Sequence, residues 1–136
     1  MIIKNLKETD DKIGEFINQA FTEYAVKNNV ELNFDEFCFV AEEDGEILGV
    51  ITGRAYYNDV HIVDLIVDKN CRGQDIGTKL VRSVEEEYSG KGYKKITLTT
   101  FGFQAPGFYK KLGYTLEFVR EDDDPRLSKY FYIKRI

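Results

Sequence analysis

Apolar positions change period along the chain, and each change predicts an element. Ile13, Phe16, Ile17, Ala20, Phe21 and Tyr24 step by three and one, which lays one apolar stripe along a helix. Thr9 and Asp10 stand before it as N-cap residues, and Asn28-Asn29 reads as its stop. Ahead of that helix, Ile2, Ile3 and Leu6 predict a short first strand. Two stretches rich in strand formers follow, residues 37–42 and 46–55, and Asp44-Gly45 between them reads as a tight hairpin turn. Asn58-Asp59 marks the next turn. Residues 60–67 are apolar at nearly every position and are broken at Asp64, as expected of a central strand covered on both faces.

A polar, glycine-bearing stretch over residues 68–77 leads into a helix with Ile76, Leu80, Val81, Val84 and Tyr88 on one face. Glu85-Glu86-Glu87 is assigned to its solvated side, and Ser89-Gly90-Lys91-Gly92 ends it. Residues 96–99 form a short strand. Pro106 opens a second short helix that runs to about Leu112, with Gly113 as its stop. Residues 114–120 and 128–136 read as two last strands, joined by the polar loop 121–126. The predicted order is β-α-β-β-β-α-β-α-β-β. It describes a mixed α/β sheet whose fourth and fifth strands, each followed by a helix, run parallel side by side.

Composition narrows the field. A chain of 136 residues is expected to form one domain over 1–136, large enough to bury a core without disulfides or metal. Hydrophobic and aromatic fractions of 43% and 14% exclude a disordered chain. Twenty-four acids against 19 bases give a net charge of −5, which argues against nucleic acid as a partner and tilts the expected substrate toward cations. No apolar run approaches the roughly 20 residues of a membrane helix, and the first residues carry no basic-then-apolar leader. Cys38 and Cys71 match no metal or redox spacing, and His61 is the one histidine, so no metal site is expected. A reduced, cytoplasmic chain follows as the expectation.

Two segments carry candidate chemistry. The first runs through Asn70, Cys71, Arg72, Gly73, Gln74, Asp75, Ile76, Gly77 and Thr78, between a strand and an amphipathic helix. A glycine-bearing loop that opens a helix aims free backbone N–H groups at one point, which suits a phosphate or diphosphate. It is neither a dinucleotide GxGxxG nor a GxxxxGK[ST] loop, and it reads equally as an ordinary strand–helix connection. The second segment is Gln104-Ala105-Pro106-Gly107-Phe108-Tyr109-Lys110-Lys111-Leu112-Gly113-Tyr114. Tyr109 there serves either as a general acid or as part of a buried helical face. Asp64 interrupts an apolar strand. It reads as a base whose pKa burial would raise, or as a structural carboxylate bonded to the next strand. The acidic run Glu121-Asp122-Asp123-Asp124 reads as a solvated loop before an attractor of cationic amines, and His61 as a packed or hydrogen-bonded residue before a general base.

Together the two segments resemble the GNAT superfamily of acyl-CoA-dependent N-acetyltransferases. Arg72 and Gly77 match the first and last positions of its (Arg/Gln)-x-x-Gly-x-(Gly/Ala) stretch. Ala105, Phe108, Tyr109, Leu112, Gly113 and Tyr114 match a later Ala-x-x-Phe-Tyr-x-x-Leu-Gly-(Phe/Tyr) stretch. Two positions depart from the pattern: Asp75 replaces the middle glycine, and Gly102 stands where the family often has a CoA-contacting asparagine, with Gln104 nearby. The resemblance implies a central mixed sheet of about seven strands with helices on both faces and splayed fourth and fifth strands. It implies acetyl-CoA as co-substrate. The backbone of Leu65, Ile66 and Val67 would pair with the pantetheine arm, and the N–H groups of residues 72–78 would hold the diphosphate. A primary amine, of a small molecule or a peptide, would attack directly. Tyr109 would be the acid, and Asp64 or a water the base. A non-catalytic acyl-CoA-binding or interaction module on the same fold is the alternative. The aromatic terminal strands leave a homodimer open.

Overall fold

A computed structural model describes residues 1–136, which fall into two compact units, Met1–Leu32 and Asn33–Ile136. The first is built on one helix, α1 (Asp11–Lys27). Asp10 caps it: its backbone is extended, and its carboxylate accepts the N–H of Ile13 at 2.9 Å, pairing one of the orphan donors of the first turn. The expected first strand is not formed. Asn5 accepts the N–H of Lys7 at 3.0 Å and Lys7 sits at φ 67°, so the chain turns as soon as the apolar run ends. The sheet takes no strand from this unit.

The second unit is a six-stranded sheet rather than one of about seven, the difference being that missing strand. In chain order its elements are β1 (Asp35–Glu43), β2 (Glu46–Tyr56), β3 (Asp59–Val67), α2 (Ile76–Tyr88), β4 (Lys95–Phe101), α3 (Pro106–Lys111), β5 (Thr115–Arg120) and β6 (Lys129–Arg135). The spatial order is β1-β2-β3-β4-β6-β5, and all neighbours are antiparallel except β3 and β4. Asp44 at φ 51° and Gly45 at φ 81° make the first hairpin a primed turn, as their sequence predicts.

The core lies on one face of this sheet. Ile51, Val60, Ile62, Ile96 and Leu98 meet the predicted stripe of α2, namely Ile76, Leu80, Val81, Val84 and Tyr88, and the cluster continues to Tyr109 and Leu112 at α3. Glu85 does not belong to the solvated side assigned to it. It is largely buried, accepts Lys134 Nζ at 3.0 Å and pairs with Arg82, whose guanidinium also donates to the Leu112 carbonyl at 3.2 Å. The three-residue acidic run hides this, because only the first of its carboxylates faces the junction of α2, α3 and β6.

β3 does not alternate regularly. Thr52 pairs with Asp64 but Gly53 pairs with Ile62, which leaves Val63 as an extra residue. The bulge reverses the parity of the strand: Val60 and Ile62 enter the core before it, and Leu65 and Val67 pack against the core after it. Gly53 permits the close approach. A Cβ there would lie 2.2 Å from the His61 carbonyl oxygen and 2.3 Å from the Phe37 ring.

Candidate active site

The parallel pairing of β3 and β4 stops after three residue pairs, Asp59 with Lys95, Val60 with Ile96 and His61 with Thr97. Side chains hold the last rung. The Thr97 hydroxyl donates to Asp59 at 2.9 Å and lies 2.9 Å from His61 Nδ1. A hydroxyl has one proton, so His61 donates from Nδ1 and keeps Nε2 as its acceptor. Beyond this rung the strands part, and the β4-facing backbone of β3 has no ladder partner. The parting opens a cleft of about 810 Å³.

The cleft passes through the sheet. From β3 it is lined by Leu65 and Val67 on the core face and by Asp64 and Ile66 on the opposite face. From β4 it is lined by Leu98 and Thr100 on the core face and by Thr99 on the other. The remaining walls are the loop before α2 and the segment from Phe103 to Tyr109.

The loop is shaped by two left-handed residues, Gly73 at φ 85° and Asp75 at φ 61°, ψ 20°. Asp75 is the N-cap of α2 but makes no capping hydrogen bond. Its backbone conformation explains why a glycine suits this position and why aspartate, which tolerates that region better than most residues, can stand there. The first helical hydrogen bond in α2 runs from Lys79 N–H to the Asp75 carbonyl, so the amides of Ile76, Gly77 and Thr78 have no helical acceptor. Gly77 keeps this end open, since a Cβ there would meet Phe108 at 3.3 Å.

Tyr109 is buried by α3 packing, yet it lines the cleft. Burial pushes its hydroxyl up to about 12, with no hydrogen bond contributing, so it is a protonated phenol at neutral pH. The Gln104 side-chain oxygen accepts from the Phe101 N–H at 2.8 Å and from Thr100 Oγ1 at 3.2 Å, which closes the turn after β4. Gly102 is required by packing. A Cβ there would stand 2.4 Å from the Pro125 carbonyl oxygen, so the asparagine of the family pattern has no room.

Of the residues singled out in the sequence, Asp64, Leu65, Ile66, Val67, Arg72, Gly73, Asp75, Ile76, Gly77, Thr78, Gln104 and Tyr109 all line this one cleft. Gln74 does not. Standing between the two left-handed residues, it is turned toward a smaller recess with Glu43, Asp44 and Glu46 at the β1–β2 hairpin. Asp64 is in the cleft but exposed, not buried, because the bulge turns it away from the core; it accepts the Thr52 hydroxyl at 2.9 Å. The burial argument for its basicity therefore has no support in the geometry. The cleft also takes in Phe108, which the sequence places beside Tyr109 on a helical face, and Thr99, Thr100 and Phe103, which the sequence does not single out. The rule that ligands sit at the carboxyl ends of parallel strands would have found the two threonines, and only tertiary contact finds Phe103.

Comparison with known proteins agrees with this architecture. The model of the acetyltransferase (GNAT) family matches residues 6–114. An uncharacterised N-acetyltransferase of Methanocaldococcus jannaschii is 34% identical over 140 aligned positions, which cover 96% of this chain and 84% of that protein. A crystal structure of an acetyltransferase from Bacillus cereus is 33% identical, with a TM-score of 0.79 over 98% of each chain. A GNAT family acetyltransferase from Elizabethkingia anophelis, whose structure has acetyl-CoA bound, shares the fold at a TM-score of 0.65 and 19% identity, over 93% of this chain and 85% of that one. With its parted parallel strands, glycine-bearing helix start and tyrosine-bearing short helix, the chain belongs to the GNAT family of acetyltransferases.

Proposed function

We propose that this chain transfers the acetyl group of acetyl-CoA to a primary amine by direct attack, with Tyr109 as general acid. One observation carries the reading: the unpaired edge of β3, the residues that bear the free amides of α2, and Tyr109, a protonated phenol, all line one cleft. These groups fit acetyl-CoA by chemistry. The amides of Ile76, Gly77 and Thr78 hold the diphosphate at a helix N-terminus. The β3 backbone at Leu65, Ile66 and Val67 pairs with the amides of the pantetheine arm like an added strand. Bound acetyl-CoA supplies an activated acyl group with thiolate as leaving group.

The chain's residues then move two protons. The amine must first lose one, and Asp64, exposed in the cleft and held by Thr52, accepts it directly or through a water. The nitrogen forms its bond to the acyl carbon as the carbon–sulfur bond breaks. Tyr109 gives its proton to the departing sulfur, and the second proton, which the nitrogen sheds as it becomes an amide, returns to Tyr109 through solvent. Its phenol is protonated near pH 7 and so holds the proton that the sulfur needs.

Asp75 favours a second reading, a module that binds acyl-CoA weakly or not at all, since its carboxylate lines the cleft beside the amides of α2. The melting temperature with and without saturating acetyl-CoA separates the two. A ligand at about 100 times its Kd adds roughly 2.7 kcal/mol, or several degrees for a domain of this size. A rise followed by CoA release with an amine supports the transferase. Binding without turnover on any amine, unchanged in Tyr109→Phe, sinks it.

A further inference from the structure

The sheet face opposite the core carries a feature that the acetyl transfer does not use. Cross-strand register sets two rows there, Thr99–Phe131–Phe118 and Phe101–Lys129–Arg120, running outward across β4, β6 and β5. Phe118 and Phe131 stack at 4.1 Å, and Phe101 stacks with Phe103 at 5.9 Å. Each cation lies over a ring: Arg120 is 5.5 Å from the Phe131 centroid and Lys129 is 5.4 Å from that of Phe101. Neither is in a salt bridge.

This face joins the cleft directly. Thr99 opens the first row and Phe103 stacks on the start of the second, and both line the cleft. The helix-start amides that suit a diphosphate belong to the core face, so an amine has the other mouth of the cleft to itself. Asp64 stands at that mouth, and the two cations lie one and two strands beyond the β4 wall, roughly 5 to 10 Å away at the usual strand spacing. The neighbouring acidic loop is partly committed to itself, with Asp124 bound to Arg126 and Asp122 accepting the Asp124 N–H at 2.9 Å.

We infer that the acceptor is a primary amine carrying a carboxylate across an apolar or aromatic body. Its ammonium sits at Asp64, its body on Phe101, Phe103 and Phe131, and its carboxylate on Lys129 and Arg120. The local field at this mouth, not the overall charge of −5, selects the substrate. The inference rests on the acetyltransferase reading and names its acceptor class.

A matched pair tests it: diphenylalanine and its C-terminal amide, which differ only in the carboxylate, with spermidine as a polycation, scored by CoA release from acetyl-CoA. The free acid is expected to exceed the amide in kcat/KM by about 10- to 100-fold, as two charge-assisted contacts allow. The double variant Arg120→Gln, Lys129→Gln is expected to remove that preference while leaving the acetyl-CoA Kd unchanged. Equal rates for acid and amide, or a preference for spermidine, overturns the inference. If no amine turns over, titration of acid and amide into the protein decides it, and equal affinities overturn it. Failure of acetyl-CoA itself to bind would instead sink the transferase reading, and that titration still tests the carboxylate site.

Discussion

The two halves of the β3–β4 seam behave oppositely. In the lower half three residue pairs close the strands, His61, Thr97 and Asp59 are linked at 2.9 Å, and Gly53 lets β2 approach a bulged β3. In the upper half the same strands part, and backbone amides, a carboxylate and a phenol are left facing a cleft. The lower half satisfies its polar groups internally and the upper half leaves them for a ligand. Substitutions in the lower half should therefore cost stability, and those in the upper half should cost function.

The largest expected effect is in the lower half. Gly53→Ala sets a methyl 2.2 Å from a backbone oxygen that cannot yield, and should cost about 3 kcal/mol or more, read as a fall in the denaturation midpoint. A fold that tolerates it would mean that the bulge does not fix the seam. Next, Tyr109→Phe should lower kcat about 100-fold or more while leaving the acetyl-CoA Kd and the melting temperature nearly unchanged. With its phenol at about 12, the wild-type enzyme should show no alkaline loss of activity from Tyr109 below about pH 11. Loss of stability in place of rate would make Tyr109 a core residue only.

A smaller effect is expected at Asp75. Asp75→Asn keeps a residue tolerant of the left-handed conformation and removes a charge from the loop proposed to hold the diphosphate. Acetyl-CoA should bind roughly three- to tenfold tighter at low salt, and the gain should shrink in about 0.5 M salt. An unchanged Kd would show that the carboxylate points away from the bound diphosphate. The smallest effect belongs to His61. Burial holds its pKa below 6.5, with Asp59 opposing and Arg54 assisting. The unfolded chain binds that proton more readily, so the stability contributed by neutral His61 is complete above about pH 6.5 and is lost as pH falls through the folded value. Stability between about pH 7 and pH 5 should fall more steeply in the wild type than in His61→Gln, and equal slopes would show that the rung is not held by a neutral imidazole.

Much of the site was legible in the sequence because its chemistry is local. The loop that opens α2 and the short helix bearing Tyr109 are contiguous segments, and turn residues and apolar spacing mark both. Other features escaped because they depend on distant partners. Asp64 reads as buried from its neighbours along the strand, but one extra residue at Val63 turns it outward. Glu85 reads as solvated, but Lys134, 49 residues away, pairs with it. Gly102 reads as a degraded contact, but the turn at Pro125 fills the space above it.

The sequence by itself determined the period of each helix and strand, the turns at Asp44-Gly45 and Gly113, and the adjacency of Arg72, Gly77 and Tyr109 to their own elements, since dihedral preferences and apolar spacing act within a few residues. Only the tertiary structure decided that β3 and β4 would part after His61, and that an aromatic, cationic face would border the cleft. Those outcomes rest on register and on contacts between segments far apart in the chain, where free energy is settled by packing and not by local propensity.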